Sequence, residues 1–466
     1  MIAELIDGMA GAHPDLLRLE GETGRALVAA DSPRAGKVGI VVGGGSGHEP
    51  LFSGYVGRGL ADAAAIGNVF ASPSHAQIAD AARAVDGGAG VLFLYGNYNG
   101  DVMNFDMAAE MLAPEGITAR SVHVQDDVAS APREHRTERR GIAGDIFVFK
   151  AAGAAADPGA DMDAVERLAR HADAVTASMG VALGPCSLPQ TLRPNFEIGP
   201  EEIEIGMGIH GEPGIERMRL ESAGRVTDRL LDPCLADLGL VRGDRVAAIV
   251  NGLGATSMME LCIMHRRLRV RLDEAGIAIH RSWVGNYATS LEMAGASVTL
   301  MKLDEDLAPL IDHPCRTLAL QIGAPTAPAS ERRQPRASHA PTRTAGRSAD
   351  RTDRERRADA GRLPRDAAVR CRPDPRPEGR TLAPRWRGGR RRSRRDHGSG
   401  MAGDPRPSGR GRERHHGLGD VPGRRGRLPA GRRCIGWSAL RERLSQGRRG
   451  GGRPAQSRRR GDGKLG

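Results

Sequence analysis

The sequence predicts an α/β fold: two α/β domains with mixed, largely parallel sheets, followed by a disordered Arg/Pro/Gly-rich C-terminal tail. Three observations predict it. Short, continuous apolar runs such as "VGIVV" and "GVLFLY" alternate with amphipathic segments, as buried strands alternate with covering helices. Glycine-rich turns follow the apolar runs, giving a recurring order of strand, turn and helix. Near residue 325 the composition changes abruptly.

Along the chain, residues 38–42 read as a buried strand ending in the glycine-rich turn "GGGSGHEP", and 75–86 as a helix. Residues 90–95 are a second buried strand, followed by "GNYNGD" and a helix over about 102–112. A third strand covers 118–124, and helices cover about 143–156 and 162–178. A second unit starts near Ala182, with strands at "EEIEIG", "RVAAIV" and "ASVTLMKL" and a helix after "NGLGATS". The expected domains are therefore 1–182, 183–325 and a low-complexity basic segment, 326–466.

The net charge of +11 is the sum of two opposed parts. Residues 326–466 hold about 40 basic and about 14 acidic side chains, which leaves the first 325 residues acidic. The tail has no Phe or Tyr, one Ile (Ile435) and two Trp (Trp386, Trp437). Such a composition buries too little apolar surface to offset chain entropy, so disorder is expected. The six cysteines form no CxxC pair, so neither a zinc site nor a disulfide framework is expected. No apolar run approaches 18 residues and no leader pattern opens the chain, which points to the cytoplasm and away from a membrane.

Three stretches carry chemistry. "GGGSGHEP" (43–50) has glycines at nucleotide-loop spacing, but His48 stands where such loops want glycine, and no GK[ST] ending follows. It reads either as a tight strand-to-helix turn or as a cradle for a small polar ligand. In "NYNGDVMNF" (97–105), Asp101 suits a helix N-cap and also a carboxylate at a strand's C-terminal edge, where open sheets place ligands. In "GMGIHGEPG" (206–214), His210 lies among glycines that would let a ligand approach. It could ligate a metal, move a proton, attack a carbonyl, or be a satisfied core histidine. No HxH or HxxxH partner favours the metal.

Taken together, "GGGSGHEPLFSGYVGRGLADAAAIGNVFASPS", "NYNGDVMNFDMAAEM" and "GMGIHGEPG", in this order, resemble the dihydroxyacetone kinase family, and within it the substrate-binding subunit or domain. The likeness runs over about residues 1–320. The resemblance implies that His210 binds a short ketose covalently as a hemiaminal. It implies that Gly45, Ser46, Gly47 and His48 contact the substrate, with His48 assisting the adduct, and that Asp101 takes the proton of the phosphorylated hydroxyl. Selection by bond formation would favour ketoses over polyols. The chain itself is expected to hold no metal or cofactor. ATP and Mg²⁺, or a phosphorylated carrier, would act through a helical nucleotide-binding partner, without which the chain is expected to be inactive. A homodimer is also implied.

Two departures from the family pattern stand out. Many members carry lysine where this chain has Gly96, and the freed volume would admit a four-carbon sugar such as erythrulose beside dihydroxyacetone. The tail keeps only "RRDHGSGM" (394–401) of an aspartate-rich magnesium motif, with arginines in place of acids. We read this as a reading frame lost near 325. The alternatives are a non-catalytic ketose-binding co-regulator and nucleic-acid binding through the tail; the acidic body weighs against nucleic acid.

Overall fold

The computed structural model describes residues 1–323. The expectations for the tail, including disorder, frame loss and the segment around Asp396, His397 and Gly398, lie outside the described residues.

The first sheet is built from β1 (Leu17–Glu20), β2 (Ala26–Ala29), β3 (Gly39–Ser46), β4 (Ala63–Val69), β5 (Val91–Gly96) and β6 (Ala119–Val124), in the order β1-β2-β4-β3-β5-β6. Its four central and edge strands β4, β3, β5 and β6 run parallel, and β1 and β2 join antiparallel. Alternation sorts the side chains. Ile40, Val42, Leu92 and Leu94 face one core, and Val41, Val91, Phe93 and Tyr95 face another. The second of these cores is closed by α2 (His75–Val85) and α3 (Asn99–Leu112). The first is closed by α4 (Asp145–Ala156) and α5 (Met162–Ala174), with α1 (Ile2–Ala12) at its edge.

The second sheet begins with β7 (Thr176–Gly184). A small hairpin, β8 (Ser187–Leu188) and β9 (Arg193–Pro194), precedes β10 (Glu202–Ile205) and β11 (Glu216–Arg219). Then come α6 (Ala223–Leu238), β12 (Arg245–Gly252), α7 (Met258–Ala275), β13 (Ala278–Gly285) and β14 (Ala294–Leu303). The order is β11-β10-β7-β14-β12-β13, and only β12 and β13 pair in parallel. Largely parallel pairing thus holds in the first sheet, whereas the second is mixed with a strong antiparallel bias. The cause is connectivity: among β7, β10, β11 and β14, returns through hairpins and long loops replace helical crossovers. The boundary expected at 182/183 falls inside β7.

One face of the second sheet packs on α6 and α7. The other, with Ala247, Ile249 and Met301, shares a core with the first sheet across α4. Every residue of α4 is buried, and Phe147 on it meets Trp283 of β13 at 5.3 Å between ring centroids. A helix apolar on nearly every side, "DIFVFKAAGAAA", suits this place between two sheets, and its buried Lys150 donates to the Leu310 carbonyl.

Two local readings change. β3 continues through Gly43–Gly45 to Ser46, because the glycines pair with β4 (Gly43 with Ala65, Gly44 with Ile66). No helix follows. The loop turns at His48 into a short 3₁₀ segment, so His48 is not a first-turn helical residue. Asp101 is not the N-cap of α3 either; that position is Tyr98, and Asp101 sits in the first turn.

Candidate active site

The two glycine-flanked histidines come from different sheets and meet. His48 Nε2 and His210 Nε2 are 3.0 Å apart, with the rings nearly perpendicular. Their other nitrogens are anchored separately. His48 Nδ1–H donates to the carbonyl of Thr289 at 2.8 Å, and His210 Nδ1–H donates to Glu212 Oε1 at 2.8 Å. With Nδ1 of His48 committed as a donor, its Nε2 is an acceptor, and the bond between the rings is donated by His210. His210 thus faces His48 on one side and the Glu212 carboxylate on the other.

The surroundings divide the two histidines. His48 is 1% exposed, stacked on Phe70 with centroids 4.9 Å apart. Burial, helped by the nearby charge of His210, pushes its pKa down to about 3. Its backbone is tied to the 289–291 segment: Thr289 N–H donates to His48 O, and Leu291 N–H donates to Gly47 O. Both Phe70 and Leu291 hold a positive φ, a strained conformation for a side-chain-bearing residue. They close on Gly47, whose own φ is +98°.

His210 retains a quarter of its side-chain surface. Its backbone N–H also donates to Glu212, at 2.9 Å. Glu212 lies 3.9 Å from Arg140, which forms a 2.7 Å ion pair with the buried Asp127. Although partial burial opposes it, the hydrogen bond and charge of His210, with Arg140 behind them, hold the Glu212 carboxyl down at about 2. The glycines around His210 serve this arrangement. A Cβ on Gly208 would lie 2.2 Å from Glu212 Oε2, and one on Gly211 would lie 2.4 Å from Asn195 Nδ2. They make room for Glu212 within the loop and for Asn195 packed against it, a use not expected from sequence.

Asp101, in the first turn of α3, lies within electrostatic reach of His210. Tyr98, which caps α3, sets its ring edge-on to His210 at 4.9 Å. Asp101 Oδ1 is buried without a hydrogen-bond partner, as is the Tyr98 hydroxyl. Burial raises the Asp101 pKa to about 6, and the neighbouring Ser72 hydroxyl and His210 pull it back only in part.

The remaining expected residues fare unevenly. The Ser46 hydroxyl donates to Gly67 O at 2.9 Å, and Gly47 N–H donates to Glu49 Oε2 at 2.9 Å. Gly45 abuts the backbone of 68–71. Beside Gly96, a Cβ would lie 3.1 Å from Gly141 O and 3.2 Å from the Tyr98 ring. Backbone and ring close in where freed volume was expected. Among the described residues no group of three or more His, Cys, Asp or Glu is gathered as a metal site.

Sequence reading missed Glu212, Thr289, Phe70, Arg140 and Asn195. Only Glu212 carried a signal, an acid two residues from a histidine in a tight turn. The others arrive from 15 to 241 positions away in the chain and leave no local trace.

An imidazole pair with a carboxylate behind one ring is a site suited to nucleophilic and proton-transfer chemistry. Residues 7–319 match the Dak1 domain, and the chain belongs to that family. It is similar to the "PTS-dependent dihydroxyacetone kinase 2, dihydroxyacetone-binding subunit DhaK" of Listeria innocua, 47% identical over 68% of this chain and 95% of that protein. It is also similar to an L-erythrulose 1-kinase of Mycolicibacterium smegmatis, 42% identical over 69% of this chain and 56% of that protein. Among solved structures, the "Dihydroxyacetone kinase operon co-activator Dha-DhaQ" aligns at 31% identity with a TM-score of 0.64, covering 68% of this chain and 97% of that one. No helix among the described residues is long and apolar enough to cross a membrane.

Proposed function

We propose that this chain binds a short ketose, dihydroxyacetone or erythrulose, as a hemiaminal on His210 and presents its hydroxyl for phosphorylation. The observation that carries the reading is the contact between His210 and His48 with Glu212 behind it. The proton between the rings passes to His48, freeing the Nε2 lone pair of His210. That pair bonds to the carbonyl carbon while the C=O π electrons move to oxygen. The oxygen takes the proton from His48 and becomes the hemiaminal hydroxyl. His210, now carrying carbon on Nε2 and hydrogen on Nδ1, is a cation held by Glu212. Charge and protons balance, and His48 returns to its neutral state.

Asp101 then acts as base toward the hydroxyl that is phosphorylated. The phosphoryl donor, ATP with Mg²⁺ or a phosphorylated carrier, belongs to a nucleotide-binding helical partner, so the isolated chain does not turn over. Gly45, Ser46, Gly47 and Gly96 line the approach to the adduct. The protein works in the cytoplasm as a homodimer. The names of the Listeria and Mycolicibacterium relatives support the two candidate ketoses.

The likeness to a co-activator favours a second reading, ketose sensing without phosphorylation. Intact-mass spectrometry of the chain with dihydroxyacetone or erythrulose, beside His210→Ala, tests the adduct: one ketose mass is expected on the wild type and none on the variant. An adduct that persists on His210→Ala ends the covalent reading. Phosphorylated ketose after addition of a nucleotide-binding subunit separates the kinase from the sensor.

A further inference from the structure

The loop that carries His210 is fastened by a strap from outside it. Just after the β8–β9 hairpin, Asn195 and Phe196 lie against the loop. The Asn195 side chain is used at both ends. Its Oδ1 accepts from Cys186 N–H at 3.0 Å, and its Nδ2 donates to the carbonyl of His210 at 3.1 Å. The two backbone partners fix which end is which, since an N–H only donates and a carbonyl only accepts. Asn195 N–H also donates to Cys186 O at 3.0 Å.

Cys186 is a firm anchor. It is fully buried in a small apolar cluster with Met207, Ile209, Leu253 and Met293, packed around the histidine loop. The loop is shaped to the clamp. Gly211 has φ +88°, and a Cβ there would run into Asn195 Nδ2 and crowd the Phe196 ring at 3.2 Å. Thus the backbone of His210 is held on both sides, at its N–H by Glu212 and at its C=O by Asn195.

We infer that Asn195 is a positioning residue for His210, whose amide fixes the peptide leaving the histidine and so the direction in which Nε2 faces His48 and an incoming carbonyl carbon. It touches neither substrate nor reacting atoms. The inference rests on the reading of His210 as the nucleophile. Small angular errors are costly in such a geometry, because bond formation needs the lone pair aimed at the carbon.

Asn195→Asp is the sharpest probe. It keeps the shape and the acceptor for Cys186 N–H, but sets a carboxylate oxygen against the His210 carbonyl. With the full-length chain and dihydroxyacetone, the adduct is expected to form at least tenfold less tightly, at an unchanged far-UV circular dichroism spectrum. Imidazole ¹⁵N NMR of the ligand-free protein is expected to show the His210 signals displaced and the bond between the two rings weakened. Should Asn195→Asp fail to fold, Asn195→Ser removes the same donor without adding charge, and the same losses are expected. Adduct affinity within threefold of wild type, or unmoved His210 signals, overturns the inference. A wild-type chain that forms no His210-dependent adduct defeats the nucleophile reading instead, and the ligand-free NMR comparison still decides Asn195.

Discussion

The loop of the first sheet around His48 and the loop of the second sheet around His210 present the same side chain in opposite settings. His48 is sealed beneath Phe70, with a backbone carbonyl as its outer partner and no carboxylate. His210 stays partly exposed and has a carboxylate at Nδ1. Desolvation keeps the first imidazole neutral, whereas the second has an anion at hydrogen-bond distance. Under the proposed function the difference suits two roles: one ring would carry a proton briefly and the other would bear the adduct. Burial and one glutamate thus set two copies of one residue apart.

The largest expected effect lies outside both loops and shows what they do not do. Asp101→Asn leaves the histidine pair intact, so ketose adduct is expected at wild-type level. Phosphoryl transfer with a nucleotide-binding subunit present is expected to fall about 10²–10⁴-fold, the usual weight of a general base. The wild-type rate carries a pH signature. Burial has raised the Asp101 pKa to about 6, so the base is ionised above that pH and protonated below it. The rate of phosphoryl transfer is expected to fall about tenfold per pH unit below 6 while adduct remains. Loss of adduct together with turnover in Asp101→Asn would merge two roles that the geometry keeps apart.

Next in size is Glu212→Gln, which makes the second loop resemble the first. The glutamine oxygen still accepts from Nδ1, but the anion is gone. A hydrogen bond to a charged group contributes about 1.5–3 kcal/mol, so adduct is expected to weaken about 10–100-fold. Titration with dihydroxyacetone followed by mass spectrometry measures it. An unchanged affinity would mean that the cationic adduct has no need of the carboxylate, and the comparison of the loops would lose its basis.

How much of this was legible in the sequence follows the same division. The motifs exposed His48, His210 and Asp101, since each sits in a short, glycine-marked run. Their juxtaposition was not written locally. It depends on β3 and β10 belonging to two sheets that share α4, a relation only the folded chain supplies. Strands β5, β12 and β14 were readable as largely apolar, buried runs, and β6 from the alternation that buries Val122 and Val124. β4, "AAAIGNV", escaped because its alanines signal helix as well as strand. β13, "AIHRSWVG", escaped because it is an edge strand whose exposed face is polar. The glycines were legible as glycines, but one use of them was not: at Gly208 and Gly211 they admit Glu212 and Asn195.

The smallest effect sharpens the comparison from the His48 side. Phe70 stacks on His48 and also meets His210 edge-on at 5.4 Å. Phe70→Leu keeps an apolar residue there but removes the flat cover. Water then reaches His48, and the desolvation that holds its pKa near 3 is relaxed. The direction is fixed: a buried imidazole that regains solvent becomes more basic, so the NMR titration midpoint of His48 is expected to rise. Loss of one ring contact is worth about 0.5–1.5 kcal/mol, so adduct affinity is expected to drop only several-fold. The midpoint is the more telling readout, because a purely structural role for Phe70 would lower affinity and leave His48 as neutral as before. A rise confined to His48, with His210 unmoved, would show that the cover over His48 is what holds its pKa down.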